Sequence, residues 1–182
     1  SEMCIRDRGT IVTKGGMTYE FGAKEIVKGS GYISRQCCGS TEIELGTVYA
    51  AEMGITLLSD IDRYTLEDAQ VTLVFHLVLA DGSVEDVPMG VFEVSEANRL
   101  AKCLELKAYD FMLRFDKSFN GFETVGTAYD FIALCCKRCK VEFANKRAEI
   151  DAMPNGGVTL SVYTENDIET CRDVLFYVAQ VL

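Results

Sequence analysis

Between residues 71 and 79 the side chains alternate so regularly that a β-strand is the only regular structure able to use the pattern. Val71, Leu73, Phe75, Leu77 and Leu79 make one set, and Thr72, Val74, His76 and Val78 make the other. Successive side chains of a strand point to opposite faces, whereas a helix would scatter the first set around its axis. Asp81-Gly82 comes directly after, a pair that takes the positive φ angles of a tight hairpin turn, and 84–87 begins the return strand. A β-hairpin here commits this part of the chain to an antiparallel sheet.

The neighbouring segments extend that sheet. In 48–58 the apolar positions Tyr49, Ala51, Met53, Ile55 and Leu57 alternate with Glu52, Gly54 and Thr56. Pro88 has no N–H to give a ladder, so it belongs on an edge or at a bulge before a strand at 91–97. The segment 103–109 closes the series, with Leu104, Leu106 and Ala108 facing one way. Further strands are expected at 19–27, 32–37 and 42–45, separated by turns at Gly29-Ser30-Gly31 and Gly39-Ser40. About seven short strands in a meander predict a barrel or sandwich.

The period changes after Asp110. Residues 111–115 form a short apolar turn, and 116–126 read as loop. Thr127 with Asp130 is a capping-box start, with Asp in place of Glu or Gln. Ala128, Phe131, Ile132, Cys135 and Cys139 then share one face of a helix that ends near Val141. Thr164 with Asp167 repeats the signal for a last helix over 167–182, striped by Ile168, Cys171, Leu175, Val178, Ala179 and Leu182. A short helix at 145–153, ended by Pro154 and Asn155-Gly156-Gly157, and a strand at 158–162 lie between. The fold class is therefore α+β: an antiparallel barrel-like or sandwich-like domain over 9–110, then a small helical region over 111–182.

Both ends look cut. Residues 1–8, Ser-Glu-Met-Cys-Ile-Arg-Asp-Arg, share no pattern with the rest of the chain and resemble translated adaptor sequence, so they are expected to be a non-native leader. The last helix runs to Leu182 with no Gly, Asn, Pro or basic residue near its end to cap the final carbonyls, which predicts truncation there and an uncovered stripe of Leu175, Val178 and Leu182.

Charge and cysteine limit the function. Lys+Arg 18 against Asp+Glu 28 gives a net charge of -10, the wrong sign for wrapping phosphate backbones or anionic membranes. Eight cysteines occur without a secretory signal, and adjacent pairs such as Cys37-Cys38 make a poor disulfide framework, so reduced, buried thiols are expected. Cys136-Lys137-Arg138-Cys139 has the Cys-x-x-Cys spacing of a zinc or redox site, but it lies inside an amphipathic helix with no second ligand pair. His76, the single histidine, sits mid-strand between Phe75 and Leu77. The acidic pairs Glu42/Glu44, Glu85/Asp86 and Glu165/Asp167 lack a cation-loop pattern and read as solvated strand ends and helix starts. No catalytic, cofactor-binding or metal-binding residue is assigned, and no enzyme activity is expected.

Three stretches carry a resemblance. Leu79-Ala-Asp-Gly-Ser-Val-Glu-Asp-Val-Pro-Met-Gly-Val-Phe-Glu-Val94, Leu104-Glu-Leu-Lys-Ala-Tyr-Asp-Phe-Met-Leu-Arg-Phe-Asp-Lys117, and Gly31-Tyr-Ile-Ser-Arg-Gln-Cys37 with Glu44-Leu-Gly-Thr-Val-Tyr-Ala-Ala-Glu-Met-Gly-Ile-Thr-Leu57 resemble the N-terminal region of bacteriophage tail hub or baseplate hub proteins. Members of that family are often described as tail-associated lysins or endopeptidase tail proteins. The resemblance covers roughly 26–182 and implies a β-barrel tube domain, a trimeric ring at the virion tail tip, and assembly in the bacterial host cytoplasm. It implies as partners further copies of the chain, the distal tail protein, the tape-measure protein and other tail-tip proteins, with neither sequence-specific nucleic-acid binding nor membrane contact. Two other readings stand beside it: a fragment of a tail-associated peptidoglycan-degrading enzyme, and a generic cytosolic β-rich binding module.

Overall fold

A computed structural model describes residues 7–36, 46–120, 124–163 and 167–182. The expected strand at 42–45, the Gly39-Ser40 turn, Glu42/Glu44, Glu165, the Thr164 cap and the thiols of Cys4, Cys37 and Cys38 lie outside the described residues. The chain divides into two units: Ser1–Arg35 with Ala50–Phe111, and Gln36–Tyr49 with Met112–Leu182.

The first unit is a seven-stranded, fully antiparallel sheet. Its strands are β1 (Arg8–Val12), β2 (Thr18–Gly22), β3 (Tyr32–Ser34), β4 (Glu52–Leu58), β5 (Gln70–Val78), β6 (Val84–Leu100) and β7 (Cys103–Tyr109), in the order β2-β1-β5-β6-β7-β4-β3. Barrel closure is not found among the described residues, where β2 and β3 form the edges. One isolated bridge, Ile26↔Leu57, brings the segment after β2 alongside β4.

Alternation decides which face is inside. Ile11, Val71 and Phe92 form one cross-strand row, and Met53, Ala108 and Val94 form another, all buried. Leu66 and Ala69, just before β5, add to the same cluster. Complete burial of such side chains contributes roughly 1.5–3 kcal/mol each, which makes this the main stabilising term of the unit.

The expected meander is realised only for β5-β6-β7. β4 adds outside β7, and β1 pairs with β5, so the early strands flank the hairpin on both sides. β1 was not among the expected strands, and its first residue, Arg8, falls in the expected leader, yet Arg8 to Val12 pair with both β2 and β5. The strands expected at 84–87 and 91–97 are one 17-residue strand. Two bulges make that continuity possible. Met89 is left over between the pairs Leu73↔Gly90 and Val74↔Pro88, which puts Pro88 at a bulge, and Ser95 is left over between Val94↔Ala108 and Glu96↔Lys107. Each extra residue switches the parity of the side chains, so Phe92 and Val94 face inward while Val87 and Ala97 stay on the same side as them.

The second unit is helical. A 3-10 turn, Phe111–Asp116, leads to α1 (Ala128–Cys139), α2 (Arg147–Asp151) and α3 (Cys171–Val181), with a two-strand ladder of β8 (Val125–Gly126) and β9 (Leu160–Ser161). Phe119, Phe131, Ile150, Val162, Ile168, Val174 and the helix cysteines form its core. The Thr127/Asp130 box starts α1: the Thr127 N–H donates to Asp130 Oδ2 at 2.9 Å.

The last helix begins four residues later than expected, at Cys171, because a second Thr-x-x-Asp, Thr170 with Asp173, provides the cap. Thr170 is extended instead, and the segment leading to it is not helical. Phe119 N–H donates to Glu169 O, Cys171 N–H donates to Lys117 O, and Ser118 bridges Thr170. The C-terminal carbonyls of α3 are capped non-locally, by Asn155 Nδ2 donating to Val181 O at 2.9 Å. The stripe expected to lie uncovered is largely packed: Val178 is buried and Leu175 and Leu182 are half-buried, while Ala179 is exposed.

Segment 46–49 belongs to this second unit for a clear reason. Arg172 donates to Val48 O at 2.6 Å, to Met112 O at 3.0 Å and to Asp116 Oδ1 at 2.5 Å. Val48 and Tyr49 therefore do not extend β4, which starts at Glu52.

Candidate functional site

The β5–β6 hairpin is longer than the strands beside it. Among the described residues, β1 pairs with β5 only as far as Val74, and β7 pairs with β6 only as far as Glu93. Among the described residues, Phe75–Val78 and Val84–Val87 therefore pair only with each other, as a two-stranded arm. The tip is well made. Leu79 and Ser83 close the loop, Gly82 has φ +83°, and Asp81 Oδ1 accepts from Ser83 N at 2.9 Å and from Ser83 Oγ at 2.6 Å. These bonds hold the Asp81 carboxyl below its ordinary range, the Ser83 hydroxyl first.

The arm carries apolar side chains on both faces. Leu77 (40% exposed) faces one way with Phe75 and Val87, while Val78 (53%) and its cross-strand partner Val84 (43%) face the other. Leu79 at the tip is 40% exposed. A lone two-stranded hairpin is marginal in water, and apolar residues clustered on both faces are unusual for a free surface. Glu85, Asp86 and Asp81 give the same tip a negative charge.

At the arm's base lies the lone histidine. His76 is opposite Asp86 in the ladder, its Nδ1 against Asp86 Oδ1, and Arg8 reaches Asp86 Oδ2 at 2.9 Å. The His76 N–H donates to Asp7 Oδ1 at 3.2 Å, and Asp7 Oδ2 is buried without a partner. Asp7 also lines a cavity of about 230 Å³ with Tyr32, Ile33, Phe75 and Met89. Asp7 and Arg8 lie within the segment expected to be a foreign leader. An orphaned buried carboxylate oxygen costs stability.

A second polar cluster lies on the sheet across β3, β4 and β7. The Tyr32 hydroxyl donates to Glu52 Oε1 at 2.6 Å, and Lys107 Nζ is 3.3 Å from Glu52 Oε2. Tyr32 lies directly over Gly54, where a Cβ would come within 2.2 Å of its ring, so only glycine admits this pose. Tyr109 and Glu52 together push the Lys107 ammonium above its usual value, and the Tyr32 bond holds Glu52 below its own. All three groups keep their charge state at neutral pH. The cluster ties strands together and has no group poised for proton transfer.

Of the eight cysteines, four are in α1 and at the start of α3, and Cys103 opens β7. Cys135, Cys136, Cys139 and Cys171 are buried free thiols, and no group of three or more His, Cys, Asp or Glu among the described residues is arranged to hold a metal ion. Burial pushes the Cys136 thiol up, so a nucleophilic thiolate is disfavoured there. Glu85 and Asp86 lie on the arm, and Asp167 is exposed ahead of α3.

Sequence reasoning missed the arm's isolation and the clustering of Cys171 with α1. One signal for the arm was present: Val78 and Val84 make its nominally polar face apolar too. No protein-family model matches the sequence, and no curated protein matches it.

Proposed function

We propose that the chain is a structural subunit of a phage or prophage tail tip, a hub or baseplate protein that assembles into a ring and does no chemistry in this segment. The observation that carries the reading is the β5–β6 arm, whose two apolar faces are exposed in the free chain. Such a strand pair gains stability when a neighbouring subunit covers it, and a protruding arm that meets a different surface on the next copy generates a ring when the rotation between copies closes. The two bulges of β6 and the Ile26↔Leu57 bridge support a sheet bent toward closure.

The net charge of -10 suits a wall past which DNA slides without being gripped. Trimeric stoichiometry, the distal tail and tape-measure partners and the tail-tip location come from the resemblance of 26–182 to tail hub proteins. The test uses the subunit with whatever flanking sequence its gene encodes. Mass photometry across concentrations should find one closed oligomer, and duplex DNA should not be retained at low salt. A monomer at every concentration, or tight duplex binding with a steep salt dependence, would overturn the reading in favour of a generic binding module.

A further inference from the structure

The Tyr32 ring reaches across the sheet over Gly54, its partner in the β3–β4 ladder, and the bond from its hydroxyl to Glu52 fixes the far end. The side chain nevertheless stays 49% exposed, so the ring is a ledge with its outward side open to solvent. Register places further polar side chains beside it. Gly54 is opposite Lys107, and Lys107 is opposite Glu96, so Tyr32, Lys107 and Glu96 belong to one cross-strand row. Two residues along each strand, Thr56, Glu105 and Asn98 make the next row. Directly opposed residues point to the same side of a sheet, here the side away from the buried row of Met53, Ala108 and Val94.

These rows line a groove of about 250 Å³. Glu96, Asn98 and Glu105 are exposed there, and among the described residues their side chains have no hydrogen-bond or ion-pair partner. The lining selects against most ligand classes. Two unpaired carboxylates repel phosphate and other anions, and Lys107, standing beside Glu96 in the row, repels a cation from the centre. A floor of Thr56, Glu105 and Asn98 gives a wholly apolar body little to pack on. An uncharged ring with hydroxyls on its rim and C–H groups on its face meets every feature. We propose that this groove binds one pyranose ring of a neutral saccharide. Its C–H face lies against Tyr32, its hydroxyls donate to the Glu96 and Glu105 carboxylates, and the Asn98 amide both donates and accepts. The groove is smaller than the roughly 300–1,000 Å³ of pockets for drug-sized ligands, so it holds a single ring with a Kd on the order of 1 mM. The site is complete within one chain and does not depend on the assembly proposed above.

The test titrates the chain with methyl glucoside, methyl galactoside and methyl N-acetylglucosaminide up to about 10 mM, well above the expected Kd. Amide shifts and saturation transfer to the sugar are followed by NMR. At least one glycoside should move the amides of Gly54, Thr56, Asn98 and Glu105 and receive saturation on its ring C–H protons, equally at low and high salt because it carries no charge. Asn98→Ala and Glu105→Ala, at exposed positions, should leave the melting temperature unchanged and weaken binding about fivefold or more each. Tyr32→Leu should abolish the saturation transfer; if that variant does not fold, the Asn98 and Glu105 variants carry the test. The polyamine spermidine, tried in parallel, should leave these amides unmoved. No response to any glycoside, shifts confined to another part of the chain, or unchanged binding by folded Tyr32→Leu overturns the proposal. So does a response to spermidine alone, which would make the groove a cation site.

Discussion

Replacing Val78 and Val84 together by threonine separates what the arm does within its own chain from what it does between chains. The two valines are cross-strand partners, 53% and 43% exposed. Each is therefore only about half covered at present. A cross-strand pair contributes roughly 0.2–1 kcal/mol, and threonine keeps the β-branch that suits a strand, so the expected loss of folding stability is about 0.5–1 kcal/mol. Association should respond more strongly. Covering the remaining half of a valine is worth about 1 kcal/mol on the scale of roughly 1.5–3 kcal/mol for full burial, so two valines per contact weaken it by about 2 kcal/mol, or about 30-fold. Urea unfolding of dilute protein reads the first quantity, and concentration-dependent mass photometry reads the second. A loss of folding stability above about 2.5 kcal/mol with unchanged association would refute the reasoning, because it would mean that the tip packs inside its own chain.

Local geometry sets three further outcomes. Gly82→Val should destabilise by roughly 1 kcal/mol or more, because Gly82 sits at φ +83°, whereas Glu85→Gln on the exposed arm should be silent in the same urea titration. The Asp130 carboxyl is held down at about 2 from 3.8 by Arg147 first and by the Thr127 N–H next, so its stabilising effect is present above about pH 4 and is lost as pH falls toward 2. Asp130→Asn should therefore flatten that part of the acid-unfolding curve and cost about 1 kcal/mol at neutral pH through the weakened cap. Asn155→Gly should speed hydrogen exchange in the last turn of α3 by removing the donor to Val181 O, and Asn155→Ala should add roughly 1 kcal/mol of strain because residue 155 has φ +59°.

The helical unit shows where local signals suffice and where they compete. The Thr127/Asp130 box and the spacing of Phe131, Cys135 and Cys139 mark α1 in the sequence, because capping and a 3.6-residue stripe are local properties. Thr164/Asp167 and Thr170/Asp173 offer two equivalent starts for the last helix. Pairing of Glu169 and Cys171 with Phe119 and Lys117 selects the second by holding Thr170 extended. Those partners are some fifty residues away, out of reach of any local signal.

The identity of β5 and β6 as strands was likewise a property of the sequence. Alternation in 71–79, the Asp81-Gly82 turn and the awkwardness of Pro88 require a hairpin with an edge or bulge at residue 88, and that is where Pro88 lies, opposite Val74 beside the unpaired Met89. The order of the strands was decided by tertiary structure, because backbone hydrogen bonds are the same whichever strand supplies them. Only the shared burial of side chains such as Ile11, Val71 and Phe92 picks the neighbours. The arm exists for the same reason. Its residues are determined by the alternating sequence, but its exposure depends on how far β1 and β7 run beside it, a length set by contacts that the hairpin's own residues do not encode.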